Sequence, residues 1–269
     1  MPRERAHIKK PGRAQPGQHK LFLSCSTITW GELKDERGFE KALASIKGLG
    51  YPDVGIEYPL VPPSLKKEVA IGGAAAKKAG LTVSAVAIDA SPEMAKVVRG
   101  FGSNVGWLCL FERDLDLAIE KTKKLTAVCA AQGVKVAVHP HIRSNVETTE
   151  DLDKILAACG PGASVCVDTA HLTGLDIDVP RFVDRYKRII SLVHFKDLRG
   201  RKPASQIDYN TDFVDLGDGV ADLAGALKAL RRTGYSGAIM VEVDYPPKGL
   251  VEASAKKNHE FLTSLVRPT

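Results

Sequence analysis

Apolar runs rich in β-branched residues alternate with stretches of helical period eight times along this chain. The strand-like runs centre on 21–27, 53–57, 82–88, 105–111, 134–139, 164–168, 189–195 and 237–242. Helix-like stretches lie near 36–48, 64–79, 92–100, 113–131, 148–159, 180–187, 222–232 and 250–265. Gly50, Gly80, Gly133 and Gly234 each follow a helical stretch and precede a strand, as helix-terminating glycines do. Thr148 with Asp151 resembles a capping box that uses Asp in place of Glu. Alternation of this kind predicts a parallel sheet with crossover helices. Eight repeats in roughly 250 residues fit a closed (β/α)8 TIM barrel of the α/β class. A doubly wound open sheet would carry a glycine-rich phosphate loop after its first strand, and Ser24-Cys-Ser-Thr-Ile-Thr-Trp30 has none. One long irregular stretch, 197–219, follows the seventh strand, a position that predicts an active-site loop rather than a linker.

Four successive strands end on a side chain able to bind metal. The runs are Val136-Ala-Val-His139, Val165-Cys-Val-Asp168, Leu192-Val-His194 and Ile239-Met-Val-Glu242. A charged group at the end of an apolar strand is costly to bury unless it is paired or bound to an ion. Strand parity puts Cys166 with Asp168, Leu192 with His194 and Met240 with Glu242 on common faces. Lys196 falls on the His194 side if that strand continues, and His139 and His141 align across Pro140 because a residue before proline prefers an extended conformation. Barrels build active sites at these strand ends. Taken singly, each residue has a structural reading: a helix cap, a salt-bridge partner, a turn cap for His171, an ion-pair partner for Glu57. Taken as a set on strands five to eight, they predict one divalent ion held by His139, Asp168, His194 and Glu242. Two imidazoles and two carboxylates favour Mn²⁺, Co²⁺, Fe²⁺ or Zn²⁺ over Mg²⁺.

Composition changes this picture little. At 269 residues, 44% hydrophobic and 26% charged, the chain suits one large soluble domain. The net charge of +6 hints at nucleic acid, but six Lys/Arg against Glu4 in residues 1–20 account for five of those charges. Residues 1–19 are therefore expected to be a flexible basic tail, and residues 20–269 a nearly neutral barrel with no specific nucleic-acid partner. No apolar run is long enough for a membrane span, and the N-terminus lacks the apolar stretch of a secretory signal. The five cysteines (25, 109, 129, 159, 166) form no CxxC pair, and 25, 109 and 166 sit in apolar runs. They read as buried thiols of a reducing, cytoplasmic setting. A homo-oligomer stays open.

Several motifs resemble the xylose-isomerase-like barrel superfamily, which includes sugar isomerases and epimerases, inosose dehydratases and endonuclease IV. The most specific are Val165-Cys-Val-Asp-Thr-Ala-His171, Val193-His-Phe-Lys-Asp197, Leu216-Gly-Asp-Gly219 and Gly234-Tyr-Ser-Gly-Ala-Ile-Met-Val-Glu242. Gly50-Tyr-Pro-Asp-Val-Gly-Ile-Glu57 looks like the family's second strand. The resemblance implies that Asp168, His194 and Glu242 bind a divalent ion and that His171 contacts substrate, with Glu57 and Trp30 expected beside it. The family's first ligand is usually Glu, and here it is His139. A histidine bound to metal through one nitrogen cannot serve as the carboxylate base of a two-base epimerase. His139-Pro-His141, Val146-Glu-Thr148, the Leu-Gly-x-Gly turn and the Val-Glu-x-Asp ending look like inosose dehydratases.

The expected activity is a metal-dependent lyase, a dehydratase acting on a keto-sugar or keto-polyol. The metal would chelate the carbonyl and an adjacent hydroxyl and acidify the neighbouring C–H. Glu242, or His141 or His171, would take the proton, and Lys196 would stabilise the enolate or protonate the leaving hydroxyl. Alternatives are a sugar isomerase or epimerase, and a non-catalytic sugar-binding protein or subunit of a larger carbohydrate lyase. A DNA-repair endonuclease would need further histidines, yet none lies between His19 and His139 or within 197–219.

Overall fold

Parallel strands covered on both faces read as continuous apolar runs, and these runs close into a barrel. The computed structural model describes residues 20–244, 246–247 and 249–267; the expected basic tail, 1–19, lies outside them. The strands are β1 (Leu21–Ser26), β2 (Asp53–Ile56), β3 (Thr82–Ile88), β4 (Val105–Leu108), β5 (Lys135–Val138), β6 (Ala163–Asp168), β7 (Ile190–Phe195), β8 (Asp197–Leu198), β9 (Phe213–Val214) and β10 (Gly237–Val241). Eight of them form a closed barrel in the order β1-β10-β7-β6-β5-β4-β3-β2, and β8 pairs with β9. Closure runs through β1 and β10, in register from Leu21↔Gly237 to Cys25↔Val241.

The helices are α1 (Glu36–Gly48), α2 (Pro63–Lys67), α3 (Val69–Lys78), α4 (Met94–Gly100), α5 (Leu115–Ala131), α6 (Thr149–Cys159), α7 (Thr169–Gly174), α8 (Val179–Tyr186), α9 (Leu223–Thr233) and α10 (Val251–Val266). Side-chain caps start several of them: Asp35 accepts from Gly38 N at 2.7 Å, and Asp114 from Leu117 N at 2.9 Å. Only half of the expected box at Thr148 is present. Its hydroxyl accepts from Asp151 N at 3.1 Å, but the Asp151 carboxylate turns back to that hydroxyl at 2.6 Å. Gly234 ends α9 in the left-handed region, at φ 79° and ψ 24°. The helix expected over 64–79 is broken at Glu68, whose φ of −130° and ψ of 68° are not helical. The short helix α7 has no counterpart in the sequence pattern; the carboxylate of Asp168 creates it by capping both Ala170 N and His171 N.

Three apolar clusters result, one of them a small group of Ile142, Ala170, Leu198, Ile207 and Phe213 near the mouth; the other two make the barrel. The larger packs between strands and helices. The smaller fills the barrel interior with Ala85, Ala87, Val105, Trp107, Ala137, Cys166, Leu192 and Met240. Cys166, Leu192 and Met240 thus point inward, as strand parity requires, directly beneath Asp168, His194 and Glu242. Small residues make room for the large ones: a Cβ at Gly55 would overlap the Met240 thioether.

The stretch 197–219 is held in place by one buried carboxylate. Asp197 accepts from Leu198 N, Gly217 N, Gly219 N and Ala221 N at 2.9–3.1 Å. A side chain at Gly219 would collide with Asp197, which explains glycine in the Leu-Gly-Asp-Gly turn. The β8–β9 hairpin then lies over the barrel mouth, with Phe213 against Lys196 Nζ at 4.4 Å from the ring centroid.

Candidate active site

At the C-terminal mouth, the ends of β5, β6, β7 and β10 bring His139, Asp168, His194 and Glu242 together. All four are buried. Asp168 uses its two oxygens differently. Oδ1 accepts from Ala170 N and His171 N at 2.9 and 2.8 Å. Oδ2 faces the site, 3.3 Å from His139 Nε2 and 3.7 Å from His194 Nδ1. Glu242 Oε2 lies 3.1 Å from His194 Nδ1. That distance suggests a hydrogen bond, but the alignment does not permit one. Both ring nitrogens of His194 and Oε2 of Glu242 are buried without a hydrogen-bond partner among the described residues. Orphaned polar atoms of this kind are rare in proteins and call for a missing partner.

The charges are arranged around a buried cation. Lys196 donates to Glu242 Oε1 at 3.2 Å and to Asp244 Oδ2 at 2.5 Å, and its Nζ lies 3.4 Å from His171 Nε2. Burial disfavours the Lys196 ammonium, yet Asp244, Glu242 and Asp168 outweigh it and raise its pKa. Burial likewise opposes ionisation of Asp168, but its neighbours His171, His139 and His194 and the Lys196 ammonium hold its carboxyl well below the usual range. Glu242 is lowered in the same sense, burial being overcome by Lys196 and His194. Glu57 behaves oppositely: burial, then Glu242 and Asp244, push it well above the ordinary value, toward the neutral form. Burial pulls His141 down to about 3 and lowers His139 and His171 too. The three imidazoles are neutral and able to offer a lone pair.

A cavity of about 400 Å³ opens onto this cluster. Glu57, His139, His141 and Glu242 line it, together with Trp107, Cys109, Tyr209 and Asp244. His141 Nδ1 lies 2.8 Å from the Ile142 carbonyl, which leaves Nε2 as the free nitrogen. Phe111, 63% exposed, stands edge-on to His141 at the rim. A larger cavity, about 820 Å³, opens at the other end of the barrel beside Lys20, Asp53 and Arg99. It contains none of the expected site residues, so volume alone is a poor guide here.

Two expected contacts differ in the structure. Trp30 does not line the cavity; it packs against the main core, and Trp107 is the indole that reaches the site, edge-on to His194 with ring centroids 5.3 Å apart. His171 is fully buried behind His141, with ring centroids 3.8 Å apart, so it supports the cavity wall without forming it. Cys109, Asp244 and Tyr209 were not singled out from the sequence. Asp244 carried a signal, since it extends the period-2 face of Glu242; Cys109 and Tyr209 carried none.

The donor set suits a divalent metal ion. Carboxylates and imidazoles converge, and three of their atoms lack any partner among the described residues. Donor atoms of His139, Cys166 and His194 also lie within 4.8 Å of one another, as do those of Cys109, His139 and His141.

A family model for the xylose isomerase-like TIM barrel matches residues 55–265. An inosose dehydratase of Geobacillus thermodenitrificans is 23% identical over 273 residues, covering 86% of this chain and 92% of the relative. Further inosose dehydratases match over only about half of their own length. Among solved structures, an L-ribulose 3-epimerase superposes with a TM-score of 0.75 at 15% identity, covering 91% of this chain and 94% of that one. The IOLI protein with a binding zinc atom superposes at 0.71 and 17% identity, covering 91% and 98%. These two likenesses are of fold. No helix among the described residues is long and apolar enough to cross a membrane.

Proposed function

The chain belongs to the xylose isomerase-like TIM barrel family, and on that premise we propose that it is a divalent-metal-dependent dehydratase of a keto-polyol or keto-sugar. The observation that carries this reading is the convergence of His139, Asp168, His194 and Glu242 with both nitrogens of His194 and one oxygen of Glu242 left unpartnered. These four residues would hold the ion. Bound there, it would supply Lewis acidity toward a carbonyl oxygen entering the cavity.

The chain's own residues supply the proton transfers. Glu242 is engaged by Lys196 and faces His194, which makes it a weak candidate for the base. His141 is better placed: it lines the cavity with Nε2 free. It takes the proton from the carbon beside the carbonyl. Glu57, whose pKa its surroundings raise, gives its proton to the hydroxyl one carbon further on. That hydroxyl leaves as water, and the electron pair of the broken C–H bond becomes the new C=C bond. Lys196 stays a cation and keeps Glu242 and Asp244 ionised around the site.

The test is turnover of keto-inositols, 3-keto-glycosides and free ketoses by metal-loaded protein in deuterated water. The expected result is loss of water, a conjugated carbonyl chromophore, and exchange of the C–H beside the carbonyl. A product of unchanged mass with solvent deuterium would mean isomerisation or epimerisation instead. Hydrolysis or hydride transfer without exchange would overturn the proton-abstraction mechanism.

A further inference from the structure

An imidazole can offer a lone pair through one ring nitrogen only while the other carries the hydrogen, and that hydrogen needs an acceptor. His139 meets both conditions unusually. Its Nε2 faces Asp168 at 3.3 Å, and its Nδ1 lies 2.9 Å from Cys109 Sγ. Cys109 is the only side-chain partner of Nδ1 among the described residues. It follows directly after β4, and β4 pairs with β5 up to Leu108↔Val138, so the sheet register carries Cys109 to His139. The backbone supports the same placement, with His139 N donating to Leu108 O at 3.0 Å.

We infer that Cys109 is a positioning residue for the metal ion: its sulfur accepts the Nδ1 hydrogen of His139, commits Nε2 to the ion and holds the ring toward Asp168. This rests on the metal-centre reading above. The partner of a metal-binding histidine is ordinarily a carboxylate, a backbone carbonyl or water. A sulfur acceptor is weaker, and it ties the affinity of the site to the state of one thiol lining the cavity. The role differs from direct ligation. Sγ stands on the Nδ1 side of the ring, whereas Asp168 Oδ2 stands on the Nε2 side.

The test uses full-length protein and measures Zn²⁺ affinity by competition with a chromogenic chelator. C109V keeps side-chain size but removes the acceptor; C109S keeps an acceptor. C109V is expected to weaken binding by about 10- to 100-fold, the usual cost of losing such a partner, and C109S to recover most of it. D168A should abolish binding. Thermal unfolding of the metal-free variants checks that the fold is intact. The inference is overturned if C109V binds as tightly as wild type, or if C109S is as weak as C109V, which would indicate packing alone. It is overturned also if cobalt-loaded wild type shows a thiolate-to-cobalt charge-transfer band that C109V lacks, because Cys109 would then be a ligand. Should wild type bind no Zn²⁺, the metal-centre reading fails and takes this inference with it; binding by wild type with no effect of C109V sinks the inference alone.

Discussion

Asp53 and Asp168 are both buried at the ends of barrel strands, one at the floor and one at the mouth, and their carboxyls are driven in opposite directions. Burial pushes Asp53 up, and the neighbouring hydroxyls of Ser24, Ser84 and Thr82 only partly offset it. Asp168 is held down despite equal burial, because His171, His139, His194 and Lys196 surround it. A carboxyl group among hydroxyls thus tends toward the neutral form, and one among imidazoles and an ammonium stays an anion. The floor meets its polar groups mostly with short hydroxyls, as in the 2.6 Å contact between Ser164 and Ser191, and leaves one oxygen of Asp53, Oδ1, without a partner among the described residues. The mouth concentrates such atoms: both nitrogens of His194 and Oε2 of Glu242 lack a partner among the described residues.

The sharpest way to break this comparison is to make the same substitution at both carboxylates. Asp168→Asn should lower kcat/KM by more than about 100-fold, beyond the upper end for an outer-layer partner, and should strip bound metal. Asp53→Asn replaces a carboxyl that tends toward neutrality with a neutral amide of equal size. It should leave activity intact and change stability by no more than about 1 kcal/mol, measured by urea unfolding. Equal losses at both positions would end the distinction.

Lys196 tests the mouth from the cation side. Lys196→Met leaves Asp244 and Glu242 buried without their counter-ion, so unfolding free energy should fall by about 3–5 kcal/mol. Glu57→Gln addresses chemistry rather than stability. It should lower kcat by about 10²- to 10⁴-fold with KM and metal content nearly unchanged, the range for loss of a general acid. An unaffected kcat would assign the departing hydroxyl's proton to another group.

The smallest effect is the pH dependence of metal-free protein. His139, His141 and His171 have folded pKa values below the unfolded value of 6.5, His141 near 3. Below pH 6.5 the unfolded chain therefore binds more protons than the native one, and stability declines as pH falls toward 3. His141→Gln should flatten that decline in urea titrations at pH 7, 5 and 4. A slope identical to wild type would show that His141 is not buried neutral.

The sequence by itself determined the barrel and the set of residues at its mouth. Strand and helix periods are local, so the eight repeats, the strand ends at His139, Asp168, His194 and Glu242, and the glycine stops could be read without any contact across the fold. Parity placed Cys166, Leu192 and Met240 inside for the same reason. The helix break at Glu68 and the Asp168-capped α7 escaped the pattern, because one is a single residue's backbone and the other depends on a side chain folding back. What only the tertiary structure decided is set by distance across the barrel. Trp107 reaches the site in place of Trp30, Cys109 meets His139, and Lys196 is clasped by Glu242 and Asp244. The raised pKa of Glu57 belongs with these. Its neighbours Glu242 and Asp244 lie about two thirds of the chain away in sequence, and their field reaches it only after the barrel has closed through β1 and β10.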